Sequence, residues 1–217
     1  MGSCCENSCA VNALQESQRG TLIKVLWINA IMFIVIAIAA FYGKSTSLLS
    51  DSLDNLGDAL TYGLSLFAVS RGTETKARVA LFKGGLIFLA ASFVVAHIIY
   101  RLITPVIPSY EIMSIFSLVG LVGNGLCLFL LWRHRNEDIN MSSVFECSRN
   151  DIASNLSVIL AAIGVWIFNS GIPDIIIATL LATLLLTSSA RVIKGALSEL
   201  AQSNKSLKSG APKNGAP

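Results

Sequence analysis

The stretch Ser47-Leu-Leu-Ser-Asp51-Ser-Leu-Asp54-Asn-Leu-Gly-Asp58-Ala-Leu-Thr-Tyr-Gly-Leu-Ser-Leu-Phe-Ala-Val69 sets Asp54 and Asp58 one helical turn apart inside an otherwise largely apolar run. A later run repeats that spacing with Cys147 and Asp151. Ionisable groups at membrane depth mark function by default, because each acid at a helix centre opposes insertion by roughly 2.5 to 3.5 kcal/mol. Asp54, Asp58 and Asp151 together oppose it by about 9 kcal/mol, so something must bind them.

The rest of the chain makes membrane depth the right setting. Of 217 residues, 53% are apolar and only 13% charged, and the mean hydropathy is +0.67. These values exceed those of soluble domains and fit a polytopic membrane protein. At roughly 20 apolar residues per crossing, spans fall at 24–42, 47–70, 79–102, 110–132, 143–168 and 172–193. The expected fold is therefore all-α, a polytopic membrane protein with six transmembrane helices. Gly43 to Ser47, Pro105 with Pro108, and Gly171 with Pro173 interrupt the helical patterns where the chain turns back.

Three segments follow: a cysteine-containing amino-terminal tail over 1–22, a six-helix transport domain over 23–197, and a carboxy-terminal tail over 198–217. The last is rich in Ser, Lys, Gly, Ala and Pro without apolar periodicity, so it is expected to be disordered, with no soluble domain there. The first 20 residues hold no apolar stretch long enough for a signal peptide. Basic residues cluster at alternate loops: Arg19 and Lys24, then Arg71, Lys76 and Arg78, then Arg133 and Arg135, then Arg191, Lys194, Lys205, Lys208 and Lys213. Only Lys44 and Arg101 fall at the others, so the positive-inside rule expects both termini to be cytoplasmic. Short loops and this bias point to a bacterial inner membrane.

Five cysteines form no disulfide framework, since Cys4, Cys5 and Cys9 crowd the amino terminus while Cys127 and Cys147 lie singly in hydrophobic stretches. Free thiols or metal thiolates fit better. The Cys4-Cys5-x-x-x-Cys9 group either passes a thiophilic ion to the entrance or is a tail with incidental thiols.

On an α-helix, residues i and i+4 project from one face about 6 Å apart. Asp54 with Asp58, and Cys147 with Asp151, thus form two clamps whose facing makes a four-ligand cage. Three carboxylates and a thiolate suit a tetrahedral divalent ion, with Zn–O near about 2.0–2.2 Å and Zn–S near about 2.3 Å. Soft sulfur favours Zn²⁺, Cd²⁺ or Co²⁺ over Mg²⁺ and Ca²⁺, which take larger oxygen shells. No Lys or Arg is expected mid-span in helices one to four to pair with Asp54 and Asp58 instead. Cys147 carries the bland reading of a small buried hydrophobe, and Asp151 that of a charge solvated at the membrane edge beside Arg149. Asp51 is either an outer carboxylate of the site or a cap for helix two. Asn29, Asn55, Asn124 and Asn155 either bond between helices or line the path. His134 reads as a solvated loop residue and His97 as lying near the outer face of helix three.

The stretch from Gly43 to Asp58 resembles the second helix of cation diffusion facilitator transporters, in which a His or Asp is followed four residues later by Asp. Cys147-Ser-Arg-Asn-Asp151-Ile-Ala-Ser154 is similar to the family's His-x-x-x-Asp segment on helix five, with cysteine where many members have His or Asp. The likeness runs from about Leu26 to Leu197 and implies export of Zn²⁺, Cd²⁺, Co²⁺, Mn²⁺ or Fe²⁺ against protons, usually by homodimers, with alternating access around helices two and five. It carries over Asp54, Asp58, Cys147 and Asp151 as metal ligands. The cytoplasmic metal-binding domain that follows helix six in most members is not expected here, nor is a His-rich loop between helices four and five.

The expected function is a secondary transporter that exports a divalent ion of the Zn, Cd or Co class in exchange for protons. The metal is cargo, so no cofactor is expected, and the partners are the ion, protons and the bilayer, without nucleic acid. Metal and proton exclude each other at shared ligands, and like charges left in low dielectric after release invite protonation. A metal-gated channel or a membrane-bound metal sensor would use the same cage. Catalysis is not expected, since neither a nucleophile motif nor a phosphate loop occurs.

Overall fold

The computed structural model describes residues 3–68, 73–133 and 139–208, with side chains described for 19–64, 66, 77–133, 145 and 148–201. Six helices account for nearly all of it: α1 (Ser3–Gly43), α2 (Thr46–Ala68), α3 (Thr73–Ile103), α4 (Tyr110–Trp132), α5 (Ile139–Phe168) and α6 (Ile172–Lys208). Five contain stretches long and apolar enough to cross a membrane: Arg19–Gly43, Ala77–Ile103, Tyr110–Trp132, Ser148–Phe168 and Ile172–Ala201. The all-α, multi-pass reading holds.

The helix outside that set is α2, and its place in the bundle explains why. At 23 residues it is about 34 Å long, enough to span a bilayer, but Asp51, Asp54 and Asp58 lower its hydropathy. Among the described residues it packs against all five other helices, which no other helix does. Among the described residues none of its large apolar side chains is exposed, whereas α1, α3, α4, α5 and α6 all present exposed Phe, Ile, Leu or Trp side chains. Lipid meets those five helices, and α2 can afford polarity because they shield it.

The bundle divides into two groups. Helices α1, α2, α4 and α5 pack around a core containing Ile36, Leu48, Met113, Val158 and Val165. A second core of Val25, Tyr62, Cys127 and Leu131 lies further along the same group. Helix α3 packs chiefly on α6 through Val94, Ala178 and Ala182, extended by Ile87, Ala91 and Leu185. This pair joins the rest through α2 and α5. With lipid as apolar as the helices, close van der Waals packing at small residues holds such contacts. Gly120 is one such place, since a Cβ there would run into the Asn155 amide and press on Ile36.

The three short connections are knit together at one end. Lys44, not Gly43, takes the left-handed conformation (φ 55°) after α1. The Lys44 amide then donates to Phe41 O (3.3 Å) and the Ser45 amide to Ala40 O (3.1 Å), the paired bonds of a Schellman turn. Gly43 answers a different need: a Cβ on it would lie 2.8 Å from Ile112 Cγ2 of α4. The Gly43 carbonyl accepts from the Ser109 amide at 2.9 Å, and a Cβ on Gly171 would lie 2.5 Å from the Val106 carbonyl oxygen. All three breaks expected from sequence fall at this end.

The helices outrun the expected spans. α6 continues to Lys208, past the 198 boundary at which a disordered tail was expected. The residues that carry it on, Ala196-Leu-Ser-Glu-Leu-Ala-Gln202, include several strong helix formers and need no lipid to stay helical. α1 likewise begins at Ser3, inside the expected tail.

Candidate metal centre

α2 owes its start to two acceptors. Ser45 stands at its amino-terminal cap, where its hydroxyl oxygen accepts from the Leu48 amide (3.1 Å). The second acceptor is Asp174, buried in the first turn of α6. Its carboxylate accepts from the Thr46 amide (2.7 Å), the Ser47 amide (3.0 Å), the Ser47 hydroxyl (2.6 Å) and the Ser45 hydroxyl (2.7 Å). A carboxylate is favoured there because the first-turn N–H groups lack partners and the helix dipole is positive. Asp51 therefore does not cap helix two. It lies buried in the next turn, with Oδ2 unbonded, beside a small cavity of about 20 Å³ that Asp54 and Ser154 also line.

From that anchored start, α2 delivers its aspartates to α5. Ser154 lies 3.5 Å from Asp54 Oδ2, at the limit of a hydrogen bond. One turn on, the carboxyl groups of Asp58 and Asp151 come within hydrogen-bonding reach. Tyr62, a further turn along α2, donates its hydroxyl to Asp58 Oδ2 at 2.9 Å. As the α2 number rises from 54 to 58 its α5 neighbour falls from 154 to 151, which is the mark of an antiparallel crossing. Asp54, Asp58, Asn150, Asp151, Ser154 and Arg191 line one pocket of about 550 Å³, whose other wall is formed by Leu180, Leu181, Leu184 and Leu185 of α6. Three of the four expected ligands thus share one pocket between the four-helix group and the α3–α6 pair.

The fourth, Cys147, falls within α5, but its side chain lies outside the described residues, as do those of Cys4, Cys5 and Cys9 and all of His134. Among the described residues, no group of three or more His, Cys, Asp or Glu is drawn together tightly enough to hold a metal ion. The aspartates stand around the pocket without closing on one point.

The expectation that no Lys or Arg lies mid-span in helices one to four to pair with Asp54 and Asp58 leaves out a basic group nearer the membrane edge. Lys83, near the start of the α3 span, bonds to Thr61 and lies within electrostatic range of Asp58. Counting only mid-span residues hid it, because a long side chain reaches along the helix from nearer the membrane edge. Tyr62 was readable as the next i+4 position after Asp58, and Asp174 as an acid in the first turn of a helix with Pro173 beside it. Ser154 shares the α5 face with Asp151 at i+3.

The four spanning asparagines divide. Asn29 bonds across helices, its Nδ2 donating to Val25 O (3.0 Å) and to Cys127 Sγ of α4 (3.6 Å). Asn55 and Asn155 bond back within their own helices, to Asp51 O (2.9 Å) and Asp151 O (2.8 Å). Asn124 is fully buried with neither side-chain polar atom bonded. None of them lines the large pocket, where Asn150 stands instead. His97 accepts from Arg101 Nε at 3.3 Å, lies between Phe93 and Tyr100, and does not line the pocket of Asp54, Asp58 and Asp151.

Residues 22–201 match the family model for the cation efflux transmembrane domain. The chain is also 26% identical over 193 residues to a cadmium, cobalt and zinc/H(+)-K(+) antiporter of Bacillus subtilis (strain 168), a match covering 80% of this chain and 62% of that protein. The chain therefore spans somewhat under two thirds of the length of that relative.

Proposed function

The chain belongs to the cation efflux transmembrane family, and on that premise we propose that it exports a divalent transition metal ion of the zinc, cadmium and cobalt class from the cytoplasm in exchange for protons. The ion is cargo, held in passing by Asp54, Asp58, Asp151 and Cys147. The observation that carries this reading is the convergence of three aspartates from two antiparallel helices on one pocket inside a lipid-facing bundle. Three carboxylates in low dielectric repel one another and call for a multivalent counter-ion. The name of the Bacillus subtilis relative supports both the metal class and the proton exchange.

Each ligand has a part in this scheme. Asp54 and Asp58 form the α2 clamp, Asp151 reaches across from α5, and Cys147, one turn before it, supplies the soft donor that favours thiophilic ions. Ser154 and Tyr62 steady Asp54 and Asp58 and donate to them when the ion leaves. Protons arriving at the vacated carboxylates discharge the site for its return. Both termini lie in the cytoplasm in this reading, so the pocket loads from the side on which α1 begins.

The test is uphill flux. Proteoliposomes holding the full chain should accumulate ⁶⁵Zn²⁺ or Cd²⁺ above the external concentration when a pH gradient is imposed. Flux that only equilibrates would indicate a channel, and binding without flux a sensor; either would overturn the proposal.

A further inference from the structure

Lys83 stands where an exporter of cations has an evident reason to exclude positive charge. A lysine in a span is as costly as an aspartate and by default has a partner and a purpose. Its ammonium donates to Thr61 Oγ1, and Thr61 in turn donates to Gly57 O (2.7 Å), which leaves the hydroxyl lone pairs for Lys83. Thr61 follows Asp58 by three residues, so the two share one face of α2. Packing fixes the register: Ile87, one turn beyond Lys83 on α3, is buried against Gly57, where a Cβ would lie 3.6 Å from Ile87 Cδ1. Lys83 is thus held at a resting place one turn from Asp58 on a flexible four-carbon stem.

The other groups around Asp58 are Tyr62 on its own helix, Asp151 from α5 and Cys127 from α4. Arg191 of α6 lines the pocket as well. Lys83 is therefore the cation that α3 contributes to this acidic site, alongside Arg191 from α6.

We propose that Lys83 is a tethered counter-cation that competes with the cargo for Asp58, moving between that carboxylate and its resting place on Thr61. This rests on the metal-site reading above. It makes Lys83 a residue that sets valence selectivity. A monovalent cation that displaces an ammonium leaves the pocket's charge unchanged and gains little, whereas a divalent ion adds a net positive charge to a cluster of carboxylates. The ammonium remains charged throughout, so the device needs no proton transfer at Lys83.

The experiment is ¹⁰⁹Cd²⁺ binding to the purified full chain in lipid nanodiscs, with and without K⁺ at roughly physiological ionic strength. Lys83→Met should bind Cd²⁺ about tenfold more tightly in low salt and become sensitive to K⁺, while the parent and Lys83→Arg stay insensitive. Thr61→Val, which removes the resting place but keeps the charge, should weaken Cd²⁺ binding several-fold. A Lys83→Met protein with parental affinity and parental indifference to K⁺ overturns the inference, and so does an unchanged Thr61→Val if Lys83→Met fails to fold. Asp58→Asn separates the two readings. If it binds Cd²⁺ like the parent, the metal site itself is wrong; if it loses binding while Lys83→Met is parental, only the role of Lys83 falls.

Discussion

Asp174 Oδ1 accepts from both the amide and the hydroxyl of Ser47, at 3.0 and 2.6 Å, across 127 residues of sequence. One buried carboxylate in the first turn of α6 thereby completes the start of α2. The helix carrying Asp54 and Asp58 is pinned at its first turn to the helix forming the opposite wall of their pocket, so site geometry and bundle assembly share one anchor.

Removing that anchor should cost stability first. Asp174→Ala leaves two first-turn amides and two hydroxyls without their acceptor, a loss of at least about 2 kcal/mol. For a chain of this size the midpoint of thermal unfolding in detergent should fall by about 4 °C or more. Glu199→Gln, on an exposed side chain of α6, is the control and should leave the midpoint in place.

Lys44 offers the opposite change. It holds a left-handed conformation that costs a residue with a Cβ about 1 kcal/mol. Lys44→Gly should raise the unfolding midpoint by about 2–4 °C, whereas Gly43→Ala, facing Ile112, should lower it. The two melts together decide which of the adjacent residues supplies the turn.

Gly120 and Gly125 lie on one helix but differ in what faces them. Gly120→Ala drives a methyl group into Asn155 and Ile36 and should cost about 1–3 kcal/mol. Gly125→Ala meets nothing within 4 Å and should be close to neutral. Equal melts for the two variants would refute the close approach of α1, α4 and α5 at Gly120.

Asp54→Ala, Asp58→Ala and Asp151→Ala should each abolish ⁶⁵Zn²⁺ and Cd²⁺ flux in proteoliposomes while leaving the protein abundant in the membrane. Ser154→Ala, which removes only a support at Asp54, should weaken flux several-fold and not abolish it. Equal flux in the aspartate variants and the parent would end the metal-site proposal.

Cys147→Ser should shift the ratio of Cd²⁺ to Zn²⁺ transport toward Zn²⁺, since a hydroxyl is a harder donor than a thiolate. Protein abundance should hold. An unchanged ratio would remove Cys147 from the ligand set.

Much of this was legible in the chain itself, and the limits have physical causes. Five of the six helices follow from apolar length, and the α2 face from i+4 spacing, because both are local properties. Asp174 was not assigned, since nothing near it in sequence reveals that its partners are Ser45, Thr46 and Ser47. Lys83 is hard to place from sequence because its backbone sits near the membrane edge while its long side chain reaches Thr61 on α2. Gly43 drew attention to the first turn, yet the positive φ falls on Lys44, as the conformation is set by how α1 ends and not by residue preference alone. The α5 side of the pocket was read from Asp151, and its neighbours Asn150 and Ser154 came into view only once α6 was placed opposite them.

Because α2 is the polar hub around which five apolar helices gather, it is poorly suited to leave the translocon by itself. Its entry into lipid depends on company, and the order of synthesis provides it: α1 emerges first and then lies along α2 in the finished bundle. The cost of the aspartates is thus met during biogenesis by a neighbour already in place, so the direction in which the chain is translated is part of how this membrane domain is built.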